Sequence, residues 1–509
     1  MLSRLRPIAA IAIVLAASLA AAIALRSDGR DARHFDRDTL AARFATDTRN
    51  LVIEWDPDDP RPLDQRRQDL FDFTYQTYDT TAWIPQSLFD GSFVAKAVIG
   101  DLETIVRDRV GLVWWRENAD VPAYGMAPDL SGSHRLRWTV NCLVCHTAEI
   151  DGVAYFGAGN KVFDDHWLAE ALKTLTADRW RPLLVRDPRD AALAREAARI
   201  LEGHEHPKIE SISRGRSAAF AASHVELYMR PNGGNTPPDH SVGRGDVKIP
   251  PLWHTVAKMP TRRWYVDGSF HGTYPLMASS MELEKDRPFD ALTEHVIPTI
   301  QREFDSVIRH LRPPRYPYEI DRALAEKGRA LFNSKSVGCA RCHGTYDGSG
   351  NVVWPGIHRD VGTSRDRLNV VSGAFVDVFD SSPIAVHGQL IQSTGYAATP
   401  LTGVWANYPY LHNGSVPTLH HLLGPVSERP AMFEITAARR FDRARVGQLL
   451  YSKPGYARIA ASDLLRLFGS NRDWFNTMRP GSSNRGHNVW GAIGTDENRK
   501  ALIEYLKTL

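Results

Sequence analysis

Ile320-Asp-Arg-Ala-Leu-Ala-Glu-Lys-Gly-Arg-Ala-Leu-Phe332 leads, after a short spacer, into Cys339-Ala-Arg-Cys342-His343. The first stretch reads as an amphipathic helix with Ala323, Leu324, Ala330, Leu331 and Phe332 on its apolar side. Gly328 in its interior would otherwise cost about 1 kcal/mol, so it implies close approach of a second helix. The second stretch is a C-x-x-C-H motif, and Cys142-Leu-Val-Cys145-His146 repeats it. Two thiols at this spacing reach one edge of a porphyrin as thioethers, and the adjacent histidine turns into the ring face to bind iron. The expectation is two covalently bound haem c groups, on Cys142 and Cys145 and on Cys339 and Cys342, with His146 and His343 as proximal iron ligands. A thioredoxin-like redox pair or half of a zinc site has no need of the following histidine.

Working outward, these motifs use all 4 cysteines of the 509 residues, leaving none for a structural disulfide. Lys plus Arg number 62 against 59 Asp plus Glu, a net charge of +3 that leaves no nucleic-acid footprint. Hydrophobic residues at 43% and charged residues at 24% exclude a disordered or polytopic membrane chain. Arg4 and Arg6 precede an apolar run from Ile8 to Leu25 closed by Arg26, so residues 1–26 read as a signal peptide or an N-terminal membrane anchor. Ala20-Ala21-Ala22 offers a cleavage site. Either way the expected location is periplasmic or secreted, with any contact to the inner membrane through this segment alone. Leu311-Arg-Pro-Pro-Arg-Tyr-Pro-Tyr318 disfavours helix and suits a linker. It divides an N-terminal haem region with insertions, 27–312, from a C-terminal haem domain, 313–509. The chain closes on a second amphipathic stretch, Asp496 to Leu509, with Leu502, Tyr505, Leu506 and Leu509 spaced for one face. No internal repeat beyond the two haem motifs is evident. The surplus length of the first region points to a built pocket or a partner surface.

A glycine-bearing helix before C-x-x-C-H and an aromatic-bearing last helix resemble class I cytochrome c domains. Asn141-Cys-Leu-Val-Cys-His-Thr147, Gly157-Ala-Gly-Asn160, Asp164, Ile249-Pro-Pro-Leu-Trp253 and Tyr265-Val-Asp-Gly268 extend the likeness. So do Arg341-Cys-His-Gly-Thr-Tyr346, Gly403-Val-Trp-Ala-Asn-Tyr-Pro-Tyr-Leu-His-Asn-Gly-Ser-Val-Pro-Thr-Leu419 and Gly486-His487. Together they resemble the rubber-oxygenase-like dihaem cytochromes, relatives of bacterial dihaem cytochrome c peroxidases and MauG-type proteins. The resemblance implies a mainly α fold with long loops and two cytochrome c-like haem domains, the first enlarged by insertions. It also implies a division of labour: the first haem, on His146, reacts with peroxide or dioxygen, acting on a small organic substrate where dioxygen is used. The second, on His343, exchanges electrons with a periplasmic redox partner.

The same resemblance assigns His487 as sixth ligand of the second haem, with Met478 as the alternative. The methionine that dihaem peroxidases carry after the Tyr-x-His-x-Gly block is missing, for His420 and His421 stand there and Met432 is the next methionine. His412 is expected beside a haem propionate or between the haems, and His420 and His421 on a solvated helix face. Trp253, Trp264 and Phe270 are the candidate distal pocket of the first haem. His254 or His271 would instead close that iron and make it an electron carrier. Glu205, Glu282 and Glu284 are candidate acid/base groups. Trp114, Trp115, Trp253 and Trp405 are candidate packing between haems. A pure electron-transfer dihaem cytochrome with both irons six-coordinate is the alternative function, and an accessory protein that docks a redox partner is a third.

Overall fold

A computed structural model describes residues 51–75, 104–115, 123–128, 137–164, 188–201, 213–217, 245–275, 297–347, 351–450 and 472–509, with isolated positions between them. The N-terminal apolar run and Glu205, Glu282 and Glu284 lie outside the described residues.

The first C-x-x-C-H segment is pinned before it begins. Asn141 accepts from Leu143 N at 3.0 Å through its side-chain oxygen and donates its amide to Thr74 O at 2.8 Å. That cap starts a tight turn over Cys142–Val144. A hairpin follows at once, Thr147–Ile150 against Val153–Phe156. Its two-residue turn is Asp151-Gly152, at φ +49° and +81°, the left-handed pair that an Asp-Gly turn supplies. Leu51–Val52 adds a parallel strand to the hairpin. The Asp151 carboxylate accepts from the Tyr318 hydroxyl at 2.7 Å and from Phe441 N at 3.0 Å, so the turn is tied to two later segments.

The second segment is helical where expected. Arg322–Asn333 forms the helix, shorter at its start than the apolar pattern suggested because Asp321 leaves helical geometry and accepts from Leu324 N at 2.9 Å. It crosses the last helix, Asp496–Leu506. At Gly328 a Cβ would run into the Ala501 carbonyl oxygen and the Tyr505 Cβ, which explains the glycine. Phe332 and Tyr505 close the crossing with ring centres 5.2 Å apart.

In the first region the described residues mix helix and strand. Short strands of two to four residues carry much of it, including Met126–Pro128 paired with Arg137–Val140 and Arg263–Trp264 paired with Phe270–Gly272, which also pairs with Gly388–Leu390 of the later region. The proline-rich stretch is extended, as expected, yet it is packed. Leu311–Arg312 pairs with Glu54–Trp55, and Pro314 O accepts from Trp405 Nε1 at 2.8 Å. Trp405 is fully buried among Tyr155, Tyr316 and Phe441. Among the described residues no helix is long and apolar enough to cross a membrane.

Candidate haem-iron centres

Each C-x-x-C-H histidine has its Nδ1 tied to a backbone carbonyl. His343 Nδ1 lies 2.9 Å from Thr399 O, and His146 Nδ1 lies 3.0 Å from Pro250 O. Burial lowers the pKa of both imidazoles, that of His146 to about 4, so both rings are neutral near pH 7. A neutral ring carries one hydrogen. A carbonyl only accepts, so that hydrogen sits on Nδ1 and the lone pair is left on Nε2. That is the state a metal ligand requires.

The two carbonyls share an origin that the sequence reading missed. Pro250 precedes Pro251-Leu252, and Thr399 precedes Pro400-Leu401. A residue before proline is biased to extended backbone, which keeps its carbonyl out of helical bonding and available to an imidazole. This short X-Pro-Leu echo is a second internal repeat, visible once the two haem motifs are aligned by function.

His487 faces His343. Their ring centres are 6.1 Å apart with planes inclined at 72°. An iron–nitrogen bond of about 2 Å on each side, plus about 1.1 Å from nitrogen to ring centre, places two imidazoles across one iron about 6.2 Å apart. The spacing therefore fits an iron held between them. Met478, the alternative, is 50% exposed. The His487 backbone sits at φ +45°, after Gly486 at φ +84°, a conformation costly for a side-chain-bearing residue. Gly486 is pressed against the backbone of Gly362 and Thr363, where no Cβ fits.

Arg429 holds this turn in place. Its buried guanidinium donates to Gly486 O at 2.9 Å, His487 O at 3.3 Å, and Asn484 O, and also to His421 O and Leu422 O. His487 N adds a bond to Val361 O at 2.8 Å. Burial brings the Arg429 pKa down to about 10 and that of His487 to about 4. The sequence reading did not name Arg429. An arginine in a loop has no local signature, and its carbonyl partners are brought to it by the strand pair Met432–Glu434 with Trp474–Asn476.

The three candidate distal residues do not form one cluster around His146. Trp253 belongs to the segment that backs the imidazole on its Nδ1 side, and its Nε1 donates to Thr402 O at 3.0 Å. Trp264 and Phe270 are partners across a strand pair, but Trp264 packs on Phe304 and Phe270 on Phe379. All three are core side chains. Trp253 stands three residues after Pro250, whose carbonyl accepts from His146 Nδ1. His254 shares Thr402 O with Trp253, at 2.9 Å from Nε2. Burial lowers its pKa to about 3, so this nitrogen carries the hydrogen and is not a free ligand. His271 stands in strand register between Arg263 and Gln389. Among the described residues no histidine ring faces His146 as His487 faces His343.

His412 is buried and stacked on Tyr396 at 3.8 Å, with Nε2 lacking a hydrogen-bond partner among the described residues. His420 and His421 are half-buried, and His421 Nδ1 is 2.7 Å from the helix-capping Thr418 hydroxyl. Trp115 stacks on Tyr124 at 4.5 Å within the first region, and Trp114 bridges to Ala123.

The thiols themselves fit thioether attachment better than the other chemistries. No disulfide joins the four cysteines, and all four are half-buried. Burial pushes Cys339 up to about 11, far from a reactive thiolate. Among the described residues no three His, Cys, Asp or Glu side chains converge on a metal-sized point, so the two cysteine pairs do not join in a zinc site.

Residues 395–434 match a family described as RoxA-like, cytochrome c-like. The match spans Tyr396, Thr399, Trp405, His412 and Arg429. It supports a relationship to RoxA-like cytochromes c and implies haem c. Among curated proteins, the chain is similar to the uncharacterized protein y4iM of Sinorhizobium fredii (strain NBRC 101917 / NGR234). The two are 31% identical over 240 residues, 39% of this chain and 51% of the relative. It is also similar to the uncharacterized protein y4iJ of the same strain, 27% identical over 300 residues, 46% of this chain and 47% of the relative. The chain thus spans about half the length of the curated relatives it matches.

Proposed function

We propose that this chain is an exported dihaem c-type cytochrome. In this reading the second haem is held between His343 and His487 and carries electrons, and the first keeps an iron position for peroxide or dioxygen. The observation that carries the division is the contrast between the two motif histidines. His343 has a neutral imidazole opposite it at a spacing that suits one iron, and His146 has no such partner among the described residues. A haem at each motif supplies an iron that moves between ferrous and ferric states.

The chain's own groups do the rest. Pro250 O and Thr399 O fix the tautomer and the ring orientation of the proximal histidines and raise their basicity. Arg429 and Gly486 hold His487 in a turn it would not otherwise adopt. His146 is itself buried, which keeps bulk water from its ring and favours an apolar ligand such as dioxygen. A small organic substrate and a periplasmic redox partner complete the scheme.

The test is the carbon monoxide spectrum of the ferrous protein beside its ferric paramagnetic resonance spectrum. One haem is expected to bind carbon monoxide and give a high-spin ferric signal, the other to stay low-spin and inert. Two low-spin, inert haems would overturn the catalytic reading in favour of electron transfer alone.

A further inference from the structure

Lys161 lies deep in the fold and Lys248 is half-buried beside it, and among the described residues neither has a counter-ion. Lys161 Nζ is 4.6 Å from the Tyr408 ring centre and donates to Gly159 O at 3.3 Å. Lys248 Nζ is 5.7 Å from the Tyr410 ring centre and donates to Asn407 O. Each ammonium has three hydrogens, so each keeps donors to spare. Among the described residues neither meets a carboxylate. Burial alone brings Lys161 down to about 7, and Lys248 is pushed well below its ordinary value by burial and by the like charges of Lys161 and Arg216. Arg216, opposite Lys248 across a strand pair, is already bonded to Asn413 O at 2.7 Å and Gly414 O at 2.6 Å. Burying uncompensated ammonium groups is expensive, and an apolar side chain would fill such space at less cost.

The neighbourhood says what compensates them. Lys161 follows Asn160, whose N donates to Cys145 O at 2.7 Å and whose side chain donates to Val144 O at 2.9 Å. Lys248 lies two residues before Pro250, the acceptor of His146. Both lysines therefore flank the first C-x-x-C-H segment, and both reach the 407–410 loop of the other half.

We propose that Lys161 and Lys248 together bind one carboxylate at the junction between the first haem segment and the 407–410 loop. The inference rests on the reading that haem is attached at Cys142 and Cys145. Two sources share this chemistry, a propionate of that haem and the carboxylate of a substrate.

The experiment uses the full haem-loaded chain with Lys161→Met and Lys248→Met, alongside Lys161→Arg and Lys248→Arg. A pyridine haemochrome assay of the unaltered chain comes first, and absence of haem there would end the haem reading itself, a separate failure. With a propionate bound, each methionine variant lowers the midpoint potential of one haem, because losing a nearby cation favours the ferric charge. Each arginine variant then returns it towards the original. With a substrate carboxylate, the potentials hold, and acetate used as the probe perturbs the haem spectrum of the unaltered chain but not of the methionine variants. Unchanged potentials together with no lysine-dependent acetate effect overturn the proposal. If the methionine variants fail to load haem, redox-difference infrared spectra of the unaltered chain with isotope-labelled propionates and lysines decide. A propionate band that moves with the lysine label supports the proposal, and an insensitive band together with no acetate effect defeats it.

Discussion

Arg429 carries the geometry of His487 without touching its imidazole. Five carbonyls converge on its guanidinium, three of them from the turn at residues 484–487. Replacing Arg429 by Met leaves these carbonyls without their donor and frees a backbone held at positive φ. On the proposed dihaem reading, the second haem of Arg429→Met is expected to gain a high-spin fraction, and imidazole added in solution should restore the low-spin spectrum. A low-spin spectrum identical to that of the unaltered chain would remove Arg429 from this role. His487→Ala is the sharper version, expected to convert that haem fully to a carbon monoxide-binding form. Met478→Leu, on an exposed loop, should change neither spectrum.

At the scale of elements, the crossing of Arg322–Asn333 over Asp496–Leu506 is the part of the fold most legible in the sequence. Periodicity marked both helices, and an interior glycine marked where they touch. Gly328→Val would force a branched side chain onto the Ala501 carbonyl, and overpacking of this kind costs about 1–3 kcal/mol. The expected result is a lower melting temperature with haem content retained, and an unchanged melting temperature would contradict the close crossing. Legibility ended where contacts became long-range. The X-Pro-Leu carbonyls, the Arg429 clasp and the inward turn of Trp253 each join residues far apart in sequence. The distal candidates were chosen because aromatic residues cluster in one stretch of chain. In the structure that stretch feeds separate parts of the core: Trp264 goes to Phe304, Phe270 to Phe379 and Trp253 to Thr402.

For the whole molecule, buried neutral histidines set a dependence on acid. Burial lowers His254 and His412 to about 3, well under their value in an unfolded chain. Between about pH 6.5 and the folded values the unfolded chain binds the extra protons, so stability falls as pH falls through this window. Each such group contributes a slope of up to about 1.4 kcal/mol per pH unit. Denaturant midpoints measured from pH 7 to pH 5 should decline, and a flat profile would contradict the buried, neutral state of these rings.

The carbonyl of Thr402 takes hydrogen bonds from both Trp253 and His254, three residues beyond the acceptor of His343. Arg216 clasps Asn413 and Gly414, Asp164 pairs with Arg472, and Arg439 reaches back to Leu112 O. Scissors applied at the proline-rich stretch would leave two stumps, each with severed clasps and bare core. A gene split at residue 312 should yield soluble, coloured protein only when both pieces are made in the same cell.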